Sequence, residues 1–320
     1  MKISLLIEGQ QGLNWHYWKK LVPAIDSLGF YGLYRSDHYV DTAPPDRDSL
    51  EMITSITWAS LHTSRSILGP MVAPVSFRDP VMLARQALAL HDLSQGRFVL
   101  GLGSGWQERE HAMFGYELGT VKQRMDRLEE SLQIVRLLLD NPNDKVSYTG
   151  QYYHLDGALS LPRGYKGGRP KLLVGGSGRR RVLPLVAKYA DIWNSLRVSP
   201  EQFRDLSAYL NELCISAGRD PDEVHRSLFT SVFLAQGNGH LDEVLREAAN
   251  YYRVNTNNLS EIAEYLGNRN AIWGTPDMVI DQMQLYRDAG VQELVLRWIA
   301  WDDLERLEAL ADVAHQMATK

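Results

Sequence analysis

Several short stretches of this chain hold residue types that could do chemistry. Ser36-Asp37-His38 sets a carboxylate beside an imidazole, so the acid could orient a ring nitrogen for hydrogen bonding or proton transfer. A histidine satisfied by neighbouring backbone would read the same way. Gly69-Pro70-Met71-Val72-Ala73-Pro74 brackets an apolar pair with two prolines that cannot donate to a sheet ladder, which predicts a bulge or a distorted strand exit. In Gly101-Leu102-Gly103-Ser104-Gly105-Trp106 the alternating glycines either let a planar ligand approach the backbone or simply form a tight turn. Trp106 stands where the third glycine of the dinucleotide fingerprint would be needed, so that motif is excluded. Val174-Gly175-Gly176-Ser177-Gly178 runs into Arg179, Arg180 and Arg181 at a predicted helix start. Free amides, a hydroxyl and guanidinium groups there suit an anion such as a phosphate; a solvated basic turn is the other reading. No Gly-Lys-Ser/Thr follows, so it is not a P-loop.

Trp193 falls within the sixth predicted strand, Trp298 late in the eighth and Trp106 just beyond the fourth, and together they could wall an apolar substrate pocket, although each taken singly reads as core packing. Glu108 with Glu110, and Glu129 with Glu130, read as solvated helical faces. The histidines show neither His-x-x-x-His nor His-Glu-x-x-His spacing, and no metal site is expected.

Those residues need a scaffold that gathers strand ends. Short apolar runs at Ile3–Glu8, Gly32–Ser36, Ile67–Val72, Phe98–Gly103, Leu172–Gly175, Asp191–Ser195, Leu228–Ala235 and Leu294–Trp298 read as strands. Between them, amphipathic stretches at Trp15–Leu28, Leu50–Leu61, Val81–Leu93, Arg124–Leu139, Arg180–Tyr189, Gln202–Ala217, Met278–Ala289 and Asp303–Met317 read as helices. Thr275-Pro276-Asp277 and Ser199-Pro200-Glu201 carry the capping hydroxyl, first-turn proline and acid of a helix start. The alternation predicts an α/β fold, a (β/α)₈ TIM barrel, with the working residues at the C-terminal strand ends. Residues 141–170 and 236–271 break the rhythm and are expected to be insertions, the second holding a helical piece at Leu241–Tyr252. Residues 1–320 are expected to form one domain.

Composition narrows the function. Hydrophobic residues make up 44% and charged residues 23% of 320, with a net charge of −5 and basic residues spread along the chain, which argues against nucleic acid as a partner. Cys214 is the only cysteine, so neither an internal disulfide nor a thiolate metal cage can form, and a cytoplasmic location is expected. No signal peptide or membrane span is predicted.

Taken together, Ser36-Asp37-His38, Leu68 to Arg78 with Pro80, Leu93 to Trp106 with Glu110-His111, Gly175 to Gly178, and Tyr189 to Asn194 resemble the luciferase-like monooxygenase family over nearly the whole chain. The form of these blocks is most similar to the deazaflavin branch, which uses coenzyme F(420). The resemblance implies that His38 faces the reactive edge of the ring system. It places a strand bulge at Met71-Val72 under one ring face, which in several relatives contains a non-proline cis peptide. Gly103, Ser104 and Gly105 would border the ring or its side chain, Gly175, Gly176, Ser177, Gly178 and Arg179 would hold the phosphate, and Arg124 would also contact it. The implied activity is hydride transfer between coenzyme F(420) and a small organic substrate. The alternatives are a monooxygenase using reduced FMN from a separate reductase, and a non-catalytic flavin-binding protein; a homodimer is compatible with each. Two departures stand out. Trp106 replaces the glutamate of the deazaflavin glucose-6-phosphate dehydrogenases, and Ile192 replaces a glycine found in many relatives.

Overall fold

The computed structural model describes residues 1–319. β1 (Lys2–Ile7), α1 (Trp15–Ser27), β2 (Gly32–Arg35), α2 (Met52–Leu61), β3 (Ile67–Pro70), β4 (Ala73–Pro74), α3 (Pro80–Leu93) and β5 (Val99–Gly103) follow one another along the first third of the chain. α4 (Glu108–Phe114), α5 (Val121–Asp140) and a hairpin of β6 (Val146–Thr149) and β7 (His154–Ala158) come next. Then follow β8 (Lys171–Gly175), α6 (Val182–Tyr189), β9 (Ile192–Leu196), α7 (Pro200–Ser216), β10 (His225–Leu234), α8 (Leu241–Tyr252), α9 (Leu259–Asn268), β11 (Ile272–Gly274), α10 (Pro276–Asp288), β12 (Glu293–Arg297) and α11 (Leu304–Thr319).

The main sheet is parallel and runs β3-β2-β1-β12-β10-β9-β8-β5-β4, with β11 beside the end of β10. β3 and β4 are two pieces of one strand interrupted at Met71-Val72, where the peptide bond is cis. Taking them as one turns the nine strands of that path into eight. The bridge between Leu68 and Phe98 and the pairing of β4 with β5 bring the ends of the path together, so the sheet is a (β/α)₈ barrel.

Side chains alternate across the strands, and that alternation makes two cores. Leu6, Tyr34, Val99, Leu173, Ile192, Phe229 and Val295 fill the barrel interior. Their sequence neighbours, among them Leu5, Ile7, Leu33, Leu172, Val174, Trp193, Leu294 and Leu296, pack outward against the helices. Helix starts follow local chemistry. Thr120 and Ser199 each form a capping box with the glutamine three residues on, and Asp79 caps the helix that Pro80 begins.

Several elements depart from the sequence expectation. The helix expected from Arg180 begins at Val182, which leaves the three arginines in the turn before it and Arg181 at the cap position. The Thr275 hydroxyl makes no capping bond, although the helix starts at Pro276 as its proline directs. The first insertion holds the hairpin β6–β7, the second adds α9 to the expected helical piece, and the short strand β11 follows directly after it. α8 and α9 share a core of their own with Phe233 at the end of β10, built on Val244, Leu245, Ala248, Ile262 and Leu266. That packing fixes the second insertion over the barrel mouth.

Candidate active site at the barrel mouth

The C-terminal strand ends open into a cavity of about 700 Å³, a size suited to a small organic ligand. His38 lies on it, beyond β2, and its Nδ1 is 3.0 and 3.2 Å from the two carboxylate oxygens of Glu110. An ionised carboxylate can only accept, so Nδ1 carries the proton and Nε2 is the ring nitrogen left for a ligand. Glu110 is 2% exposed and also accepts from the Tyr39 amide at 3.1 Å. Gln107 donates to the Val40 carbonyl at 3.0 Å, which ties α4 to the loop after β2 and holds the pair in register. Burial pulls the His38 pKa down. The hydrogen bond and charge of Glu110, with smaller contributions from Glu8 and Asp37, outweigh it and raise the pKa above its ordinary value.

The sequence offered Asp37 as the partner of His38, and the structure assigns that carboxylate elsewhere. Asp37 is held in a two-pronged pair by Arg78, at 2.9 Å from Nε and 2.7 Å from a terminal nitrogen, and Arg78 continues to Glu51. Glu110, expected on a solvated helical face, is the residue that contacts the imidazole. α4 is short and docks its Glu110-His111 edge inward, with His111 bonded to Ser76 at 2.7 Å.

Met71, Val72, Gly103, Ser104, Gly105 and Trp106 line the same cavity as His38. The glycines answer a packing demand. A side chain at Gly103 would collide with a Val72 methyl, and one at Gly175 would sit 3.1 Å from the other Val72 methyl, so both strands must be bare where the bulge projects. Trp106 is exposed and meets the His38 ring edge-on at 5.5 Å. The expectation that Trp193 and Trp298 also wall the pocket is not met. Both fall on the outward parity of their strands. Trp193 stacks on Phe203 and donates to the Gly176 carbonyl at 2.8 Å, and Trp298 is 2% exposed in the outer core.

Inward parity instead delivers residues that the sequence reading missed. Glu8 follows Leu6 by two, Asn194 follows Ile192 by two, and Arg297 follows Val295 by two, and all three line the cavity. Period-two extrapolation from the apolar strand residues would have found them. Glu8 pairs with Arg297 and accepts from Gln10 at 2.5 Å. Burial would raise the Glu8 pKa, yet Arg297, His38 and Arg197 lower it below the ordinary value and keep the carboxylate ionised.

Of the anion-binding turn, Gly175 and Gly176 line the cavity, with Gly176 at a φ of 127°. Ser177, Gly178 and Arg179 lie just beyond it. The Ser177 hydroxyl contacts that of Ser195 at 2.9 Å and accepts from the Leu196 amide, so it ties the turn to the end of β9. Arg179 lies over the Tyr209 ring, and Arg181 is taken by Asp126 at 2.6 Å. No amide of residues 177–181 donates to another backbone carbonyl among the described residues. Arg124 borders a small recess shared with Ser104; one of its terminal nitrogens donates to the Gly119 carbonyl, and its buried Nε has no partner. Unclaimed amides in one turn and an orphaned guanidinium nitrogen nearby fit a cofactor with a phosphate-bearing side chain.

A family model described as luciferase-like monooxygenase matches residues 1–293. The chain belongs to the luciferase-like monooxygenase family. Among its relatives, a phthiodiolone/phenolphthiodiolone dimycocerosates ketoreductase of Mycobacterium tuberculosis is 26% identical over 270 residues, 73% of this chain and 70% of the relative. An F(420)-dependent glucose-6-phosphate dehydrogenase of Nocardia farcinica is 29% identical over 266 residues, 75% of this chain and 76% of the relative. A solved F(420)-dependent secondary alcohol dehydrogenase, in complex with an F(420)-acetone adduct, shares the fold at a TM-score of 0.80 and 16% identity, covering 98% of both chains. Among the described residues no helix is long and apolar enough to cross a membrane, and no group of three or more metal-ligating side chains is assembled.

Proposed function

We propose that this chain is an oxidoreductase that binds coenzyme F(420) at the barrel mouth and interconverts an alcohol and a carbonyl compound. The observation that supports this most directly is the pairing of His38 with buried Glu110, on the same cavity as the Met71-Val72 bulge. Relatives whose names include a ketoreductase and an F(420)-dependent dehydrogenase support the same chemistry. When bound, the deazaflavin supplies a ring carbon that accepts or gives up a hydride. Gly175 to Arg179, with Arg124, would hold its phosphate, and Met71-Val72 would back the ring.

The chain's own part is the proton. In alcohol oxidation His38 Nε2 takes the hydroxyl proton as the hydride leaves the carbinol carbon; in carbonyl reduction it returns that proton to the oxygen. Glu110 holds the imidazole in the one tautomer that leaves Nε2 free and favours its charged form. Trp106 and the α8 residues Tyr251 and Tyr252, which line the cavity, would exclude water from the reacting pair.

Parallel titrations of the purified protein with coenzyme F(420) and FMN, followed by turnover on a panel of alcohols and ketones, test the reading. Tighter F(420) binding with ketone-dependent oxidation of the reduced cofactor is expected. Preference for FMN with oxygen-dependent turnover would replace it with the two-component monooxygenase reading. Cofactor binding without turnover would favour a flavin-binding protein.

A further inference from the structure

Four carboxylates and four arginines line the cavity, but they are not paired one to one. Its carboxylates are Glu8, Asp37, Asp41 and Glu110. Each has a cationic partner: Arg297, Arg78 at 2.7 Å, Arg253 at 2.9 Å, and His38 at 3.0 Å. Arg197 and Arg269 also line the cavity, and neither has a carboxylate partner among the described residues. Arg197 lies over the Phe229 ring at 5.5 Å, a ring that Arg297 approaches at 5.1 Å. Arg269 lies 4.9 Å from both Tyr252 and Tyr265. Among the described residues the buried Arg197 Nε has no hydrogen-bond partner, and neither has the Nε of Arg297, a residue 5% exposed. Aromatic faces partly compensate a guanidinium, but they leave its N–H groups without acceptors.

Topology says where these cations stand. In the eight-strand circuit β2 and β9 are four steps apart in either direction, through β1, β12 and β10 or through β3/β4, β5 and β8. Arg197 follows β9 directly and His38 follows β2, so the two face one another across the mouth. Arg197 is held in place by its own amide donating to the Phe229 carbonyl at 2.9 Å and by Asn270 donating to its carbonyl at 3.0 Å. Burial and the neighbouring Arg297 charge outweigh the favourable charge of Glu8 and disfavour its cationic form in the free protein, a cost that a bound anion would reduce.

We propose that the substrate carries an oxyanion, either a carboxylate or a phosphate monoester, received by Arg197 and Arg269 across the cavity from His38. This deepens the alcohol–carbonyl reading and rests on it for the word substrate. A molecule anchored by its anion at that wall presents its far end to Nε2, so the arginines select the substrate and fix which carbon reacts.

The test is calorimetric titration of the full chain, with and without saturating coenzyme F(420), against inorganic phosphate, acetate and neutral acetone. Phosphate or acetate should bind at least about tenfold tighter than acetone in both states, as charge-assisted pairing requires. With coenzyme F(420) saturating, so that the Gly175–Arg179 turn is filled, Arg197→Gln should erase that preference, and Arg197→Lys should keep most of it. In both variants F(420) affinity should stay within about twofold, which also reports a folded barrel. Phosphate ahead of acetate assigns a phosphate ester; the reverse order assigns a carboxylic acid. Equal binding of anions and acetone overturns the proposal, as does an Arg197→Gln chain that holds anions like the native one. A loss of F(420) affinity in Arg197→Gln also overturns it, because the cation would then belong to the cofactor. If the chain ignores F(420) yet keeps Arg197-dependent anion binding, the hydride-transfer reading fails and the anion site stands.

Discussion

The two walls of the barrel mouth are built on opposite electrostatic plans. On the side of β2, charged groups are paired inside the protein: His38 with Glu110, Asp37 with Arg78, and Arg109 with Asp46 at 2.7 Å. On the side of β9, β10 and β12, Arg297 is matched by Glu8 and Arg253 by Asp41, while Arg197 and Arg269 rest on aromatic rings. A satisfied network fixes geometry, and the first wall holds one imidazole in one tautomer. An incomplete one is finished by whatever binds, and the second wall is arranged for that. Proton handling and substrate selection are thereby separated across a single cavity.

Substitutions on the two walls should therefore fail differently. The largest effect belongs to His38→Ala, expected to lower turnover by about 10²–10⁴-fold while coenzyme F(420) affinity is kept, as steady-state rates beside a binding titration would show. Turnover that survives the substitution would remove the imidazole from the mechanism. Trp193→Ala comes next, because it empties a site packed on Phe203; a loss of about 3–5 kcal/mol in denaturant unfolding is expected.

Glu110→Gln tests the first wall by pH. In the native chain the His38 pKa is raised, so imidazolium persists above pH 6.5 and carbonyl reduction should fall only as pH climbs through that raised value. The variant should shift this limb to lower pH. The matching contribution to stability is present in full below the unfolded-state value and is lost as pH rises through the folded one. The variant's deficit in urea unfolding should accordingly be larger near about pH 6 than near about pH 9. An unmoved limb would mean that Glu110 is only a structural acid. The smallest effect is expected from Trp106→Ala, which removes an exposed ring: stability should change by no more than about 0.5 kcal/mol, in contrast to Trp193.

The tryptophans show why part of the site was legible in the sequence and part was not. Position near a strand end could be read from the apolar runs, and it brought Trp106, Trp193 and Trp298 forward together. Which way a strand residue points is a matter of parity, and one residue separates the inner wall from the helix layer. Counting by two from Leu6, Ile192 and Val295 gives Glu8, Asn194 and Arg297, whereas Trp193 and Trp298 sit on the odd steps. The glycines at 103 and 175 were visible as a pattern, but their purpose was not, since it depends on Val72 projecting between two other strands.

The chain's own sequence determined the alternation of strands and helices, the barrel that follows from it, and the mouth as the place to which Ser36-Asp37-His38 and Gly175-Gly176 both come. These are local properties of periodicity and turn chemistry, written within a few residues of where they act. Only the tertiary structure decided that Glu110 and not Asp37 serves His38, that Glu8 closes on Arg297, and that Arg197 pairs with no carboxylate among the described residues. Those partners are 72 and 289 residues apart in the first two cases. Their pairing comes from barrel closure and strand register, which bring distant residues within reach and settle which charges are left over.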